Sequence, residues 1–196
     1  MAAEIILASS SQTRRELMNR LQLPYQCINP EIDESPKGEV HADDLARRLA
    51  FEKAGCIAKQ YPDAIVIGSD QVAWREDAAD IFIGKPLTTE KAIQQLQENS
   101  EKVVYFSTAL SVQQLSTGFE RTLVEHYMVK FRQLSIAEIE RYVALEQPLH
   151  CAGSFKCEGL GISLFTEMQG TDQTTLMGMP MIKLCGILRE LKLLVP

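Results

Sequence analysis

No apolar run in this sequence exceeds the length of a strand, positive charge is in the minority, and neither cysteines nor histidines fall at metal-binding spacing. The longest mostly apolar stretches, such as Ile5 to Ala8 and Ala64 to Gly68, are far shorter than the roughly 20 residues that span a bilayer, so no membrane partner is expected. Lys and Arg total 20 against 26 Asp and Glu, a net charge of -6. A chain of that sign has no broad positive field to draw it onto nucleic acid or anionic lipid. No nucleic-acid partner is expected, and any phosphate must be gripped locally. The N-terminal Met-Ala-Ala-Glu runs directly into an apolar segment without the features of a secretory signal, and the expected location is cytoplasmic.

The five cysteines, Cys27, Cys56, Cys151, Cys157 and Cys185, are odd in number and match neither a zinc knuckle nor a redox CxxC. They are expected to be reduced thiols, most of them buried. His41, His126 and His150 form no HxxxH or HExxH pair, no serine sits in a G-x-S-x-G elbow, and no Walker A motif is present. Zinc hydrolase and serine hydrolase chemistries are thereby set aside.

What is present is a composition that folds. The 196 residues are 45% hydrophobic and 23% charged, enough for one generous domain or two small lobes sharing a cleft. Neither a repeat nor a linker divides them, so two lobes would be interwoven. The run Glu4 to Ala8 reads as a strand. Ser9, Ser10 and Ser11 break it, and Leu17, Met18 and Leu21 fall at helical spacing. Thr13 and Glu16 fit a capping box, placing a helix from near Thr13 to before Pro24. From Asp43 to Lys59, residues Leu45, Leu49, Ala50, Ala54, Ile57 and Ala58 line one side of a spiral, with Asp43 or Asp44 as cap.

After Pro62, the segment Ala64 to Asp70 reads as a buried strand delivering Asp70 at its C-terminal end, where α/β sheets bind ligands. Thr88 or Thr89 opens a helix to about Asn99. Val103 to Leu115 and Phe119 to Phe131 read as a β-hairpin. Ser135 opens a helix with Ile136, Ile139 and Val143 inward, and a last helix runs from about Gly178 or Pro180 to Leu194.

Arg14 and Arg15 fall in a first helical turn, where the macrodipole disfavours cations. With three serines and free backbone N–H groups, they supply what a polyphosphate needs, although two solvated arginines are the plainer alternative. Glu31, Asp33 and Glu34 in a proline-bounded loop, together with Asp70, are hard oxygen ligands suited to Mg²⁺ or Mn²⁺. Lys53, at the edge of an apolar helix face, and Lys85, in a Gly-Lys-Pro turn, each read alone as an ordinary surface lysine.

Their order is more specific than any of them singly. Ser9-x-Ser11-x-x-Arg14-Arg15, Glu31-x-Asp33-Glu34, Leu49-Ala50-x-x-Lys53-Ala54, Gly68-Ser69-Asp70-Gln71, Gly84-Lys85-Pro86-Leu87, the segment His150 to Gly159 and Gly178-Met179-Pro180 together resemble the Maf family of nucleoside triphosphate pyrophosphatases over essentially the whole chain. The resemblance implies an α/β fold with a mixed elongated sheet, flanking helices and two interwoven lobes around a cleft, with residues 1–196 as one Maf-type domain. It implies metal-assisted attack by water on the α-phosphorus of a nucleoside triphosphate. Asp70 would activate the water, Ser9, Arg14, Arg15, Lys53 and Lys85 would hold the triphosphate, and Glu34 with Asp70 would contact a divalent cation, Mg²⁺ or Mn²⁺. A homodimer is also implied.

Gly68-Ser69-Asp70-Gln71 and Ala152 to Gly159 resemble the branch of the family acting on 7-methyl-GTP, whose specificity positions correspond to Thr13, Gln71 and Glu158. That branch carries Trp at the Thr13 position, so a stacking role is not transferred there. A Glu at 158 suits a cationic 7-methylguanine that offers N1–H and N2–H donors. The alternatives are a broader dTTP- or UTP-type pyrophosphatase and a non-catalytic nucleotide-binding regulator of septum formation.

Overall fold

The chain is described by a computed structural model for residues 4–193 and 195. Its elements follow in the order β1 (Ile5–Ala8), α1 (Gln12–Asn19), β2 (Gln26–Ile28), α2 (Ala42–Ala58), β3 (Ile65–Arg75), β4 (Ala78–Ile83) and α3 (Thr89–Asn99). They continue with β5 (Val103–Gln114), β6 (Phe119–Phe131), α4 (Ile136–Glu146), β7 (Phe165–Gln169), α5 (Gln173–Leu176) and α6 (Met181–Glu190). Among the described residues the sheet has seven strands, ordered β2-β1-β3-β5-β6-β7 with β4 on β3. β1 runs parallel to β2 and β3, while β3, β5, β6 and β7 pair antiparallel, which makes the sheet mixed.

β3 organises the molecule. Along one edge it pairs with β5 from Val66 to Arg75. Along the other it pairs with β1 from Ile65 to Gly68, then with β4 from Ala73 onward. Residues Ser69 to Val72 have neither partner on that edge, and there the fold opens into two lobes. Leu17, Met18, Leu184 and Leu188 fill the core on one side of the opening. Phe106, Phe131, Ile139 and Phe155 fill it on the other.

α2 is laid across β3 by its small residues. Ala50 and Ala54 are fully buried, and a Cβ on Gly68 would stand 2.4 Å from the Ala50 carbonyl and 2.7 Å from the Ala54 nitrogen. Glycine is therefore required by the close approach, and the contact fixes the height of Lys53 above the sheet.

Several expectations need correction. Asp70 does not end its strand; it sits in the middle of β3, two residues past the last pairing with β1 at Gly68, in the stretch open on that edge. The α1 cap is Ser11 rather than Thr13, while α1 ends at Asn19, before Pro24 as expected. His41 occupies the α2 cap without a side-chain bond. Asp43 instead turns to the sheet, accepting from Ser107 Oγ at 2.6 Å and pairing with His126 Nε2 at 2.8 Å. Ile136 is exposed. β2 and β7 are short strands in segments to which the sequence pattern assigns no element. The last helix ends at Glu190, and Leu194 lies outside the described residues. All five cysteines are free, but Cys157 is the one that is buried.

Candidate active site

The opening beside Ser69 to Val72 is a cleft of about 910 Å³. Ser9, at the end of β1, is buried, and the Ser11 N–H donates to its hydroxyl at 3.1 Å, tightening the turn into α1. Ser11 in turn accepts from the Arg14 N–H at 3.4 Å. This cap aims Arg14 inward, where its Nε donates to the Gly178 carbonyl at 2.8 Å. The Ser69 hydroxyl shares its proton between the same carbonyl, at 2.8 Å, and the Ala109 carbonyl, at 2.7 Å. Gly178 has φ +102°, a backbone that favours glycine, and a Cβ there would approach the Arg14 guanidinium at 3.6 Å.

At the centre, Lys53 from α2 bridges two carboxylates. Its Nζ lies 2.5 Å from Asp70 Oδ1 and 2.7 Å from Glu34 Oε1. Lys53 and Asp70 are both buried, so each meets the other's charge in place of water. Burial alone would raise the Glu34 pKa, but the Lys53 ammonium, with Lys85 and Arg14 beyond it, holds the carboxyl below its ordinary range. For Arg14 burial dominates and lowers the pKa, while Asp70 and Glu34 oppose that shift. A guanidinium remains charged under any such influence.

Thr13, Gln71, Lys85 and Glu158 also line the cleft. The Gln71 Nε2 donates to Thr108 Oγ1 and the Thr175 carbonyl, both at 2.9 Å, and to the Leu176 carbonyl at 3.1 Å. Two backbone carbonyls fix which end of the amide is nitrogen, so its oxygen is the acceptor left for a ligand. Ser9, Thr13, Arg14, Glu34, Lys53, Asp70, Gln71, Lys85 and Glu158 are thus brought to one wall system, but Arg15 is not. The Arg15 Nε is buried without a hydrogen-bond partner, and its guanidinium lies beside Cys27. Sequence reasoning missed Gly178, Thr108 and Thr175 as supports of the site. Gly178-Met179-Pro180 was visible as a motif, but no pattern ties a carbonyl to a guanidinium 164 residues away.

Among the described residues no three His, Cys, Asp or Glu side chains converge as a metal cluster. Asp70 and Glu34, both within reach of one Lys53 nitrogen, fit an ion of the Mg²⁺ kind, which takes one or two protein carboxylates and completes its shell with substrate phosphates and water.

Fold and site define a mixed α/β protein with a cation-lined cleft around a buried carboxylate. A family model described as Maf-like protein matches residues 4–191, and the chain belongs to the Maf family. It is 66% identical over 194 residues to a nucleoside triphosphate pyrophosphatase of Acinetobacter baylyi, covering 99% of this chain and 98% of that one. It is 48% identical over 184 residues to a 7-methyl-GTP pyrophosphatase of Pseudomonas savastanoi pv. phaseolicola, covering 94% of each. Among solved structures, the Staphylococcus aureus Ham1 protein aligns over 65% of this chain and 71% of its own at 17% identity, with a TM-score of 0.46.

Proposed function

We propose that this chain hydrolyses 7-methyl-GTP to 7-methyl-GMP and pyrophosphate, as a particular case of the nucleoside triphosphate pyrophosphatase activity that its Maf membership and its 66% identical relative support. Such an enzyme is a hydrolase acting on a phosphorus-containing anhydride. The observation that carries the reading is the Asp70–Lys53–Glu34 arrangement in a cleft also lined by Arg14 and Lys85.

Asp70 accepts the proton of a water molecule whose oxygen attacks the α-phosphorus. The bond from the α-phosphorus to the bridging oxygen breaks, and pyrophosphate leaves with the electron pair. Arg14, Lys85, Lys53 and Ser9 bind the triphosphate and take up the charge that grows on it. This is positioning and electrostatics, which supply most of phosphoryl-transfer catalysis. Glu34 and Asp70 would hold a divalent cation, which when bound neutralises phosphate charge. Lys53 balances both carboxylates until substrate arrives.

Preference for 7-methylguanine rests on Glu158, an exposed carboxylate on the cleft wall that can accept from N1–H and N2–H of a cationic base. Gln71, with its oxygen free, adds an acceptor. The 48% identical relative named for this substrate supports the same reading. A broader triphosphate specificity is favoured by the general name of the 66% identical relative. Glu158→Gln separates the two. Under the 7-methyl-GTP reading the variant loses about tenfold in kcat/KM for 7-methyl-GTP relative to GTP, the size of one charge-assisted hydrogen bond. An unchanged ratio favours the broader enzyme.

A further inference from the structure

We infer that Glu146, which lies outside the cleft lining, is the positioning residue for Glu158 and through it sets selectivity for the base; the inference rests on the reading of Glu158 given above. An exposed carboxylate keeps a fixed place only if its backbone does. The segment carrying Glu158 is anchored on both sides to the last turns of α4. On one side the Lys156 N–H donates to the Tyr142 phenol at 3.0 Å, and the Lys156 ammonium donates to the Glu146 carbonyl at 2.6 Å. On the other side the Leu160 N–H donates to Glu146 Oε1 at 2.8 Å. Glu158 stands midway between these two anchors.

The loop is closed between them. The Gly159 and Gly161 N–H groups both donate to the Lys156 carbonyl, at 3.2 and 3.1 Å. A Cβ on Gly159 would stand 2.7 Å from Glu146 Oε1, so the loop rests directly on that carboxylate. The buried Cys157 thiol then donates to Glu158 Oε2 at 3.4 Å. Glu146 is the final residue of α4, at the negative end of the helix dipole, where an acid is disfavoured. The Leu160 N–H and the nearby Lys156 ammonium answer that charge, and the loop conformation follows from the answer.

The test is steady-state kinetics on 7-methyl-GTP and GTP with wild type, Glu146→Ala, Glu146→Gln and Glu158→Gln. Glu146→Ala is expected to lower the kcat/KM ratio of 7-methyl-GTP over GTP about tenfold, mainly through KM, as loss of one hydrogen bond to a charged acceptor implies. Glu146→Gln keeps an acceptor for Leu160 and is expected to return the ratio to within about threefold. With Glu158→Gln already present, Glu146→Ala should change the ratio no further. Gly159→Ala, which presses on the carboxylate from the loop side, should reproduce the loss with Glu146 intact and covers the case in which Glu146→Ala does not fold. Equal loss of kcat on both nucleotides, or the same fall in ratio without Glu158, overturns the positioning role. A wild type without preference overturns it together with the reading of Glu158, which tells the two failures apart.

Discussion

Lys53 answers two carboxylates at once, which makes it the residue most exposed to a single change. Removing its charge by Lys53→Met leaves the buried Asp70 facing Glu34 with no cation between them. Breaking a buried pair in this way costs about 3 kcal/mol, and the urea midpoint should fall accordingly. Asp70→Asn in the same background should return part of the loss, because no uncompensated buried charge then remains. The Glu34 pKa is depressed in the fold, so its contribution to stability is present above the ordinary 4.5 and lost as pH falls through the lower folded value. Glu34→Gln should therefore flatten the stability profile on the acid side; an unchanged acid limb in urea titrations would remove Glu34 from the account. At this scale residue type and order single out Asp70, Lys53 and Lys85, which the fold gathers on one cleft. The sequence misled at Arg15. Consecutive helical residues point about 100° apart, so a helix that aims Arg14 into the cleft turns Arg15 toward Cys27 and Tyr25.

The fit of α2 onto β3 carries the residue-scale geometry. Gly68→Ala would drive a methyl group into the Ala50 carbonyl and the Ala54 nitrogen, both backbone atoms that cannot rotate away. We expect a loss of about 2 kcal/mol or more from overpacking, and a larger loss of activity than of stability because Lys53 moves with the helix. Thermal melts and pyrophosphate release on one preparation would show it. Ser135 and Glu138 form a complete capping box at the start of α4, and the hydrogen bonds from the Ser135 hydroxyl and N–H, with Arg132 beside them, hold the Glu138 carboxyl down at about 2. Ser135→Ala should cost about 1 kcal/mol. Long, strongly patterned elements such as α2 and the β5–β6 hairpin were legible because their own periodicity sets them. β2, with three residues, and β7, with five, were not, since they become strands only through the neighbour each pairs with. Thr13 lost the α1 cap to Ser11 because a serine two residues earlier already satisfied the Arg14 N–H.

The whole molecule resolves an apparent conflict between its net charge of -6 and a polyanionic substrate. Attraction is local: β3 changes partners between Ser69 and Val72, and the gap gathers Arg14, Lys53 and Lys85 from three separate segments. The sequence carried the α/β class and the order of its motifs, but not this exchange of partners, because pairing between β1, β3 and β4 is a property of the assembled sheet. The expectation that Asp70 ends a strand fell short for the same reason. The most direct test is pyrophosphate release from 7-methyl-GTP, GTP, dTTP, UTP and CTP with Mg²⁺ or Mn²⁺, wild type beside Asp70→Asn. We expect release led by 7-methyl-GTP and reduced at least about 10³-fold in the variant, as loss of a general base with its positioned water implies. Nucleotide binding without release under either metal, or full activity in Asp70→Asn, would contradict the account.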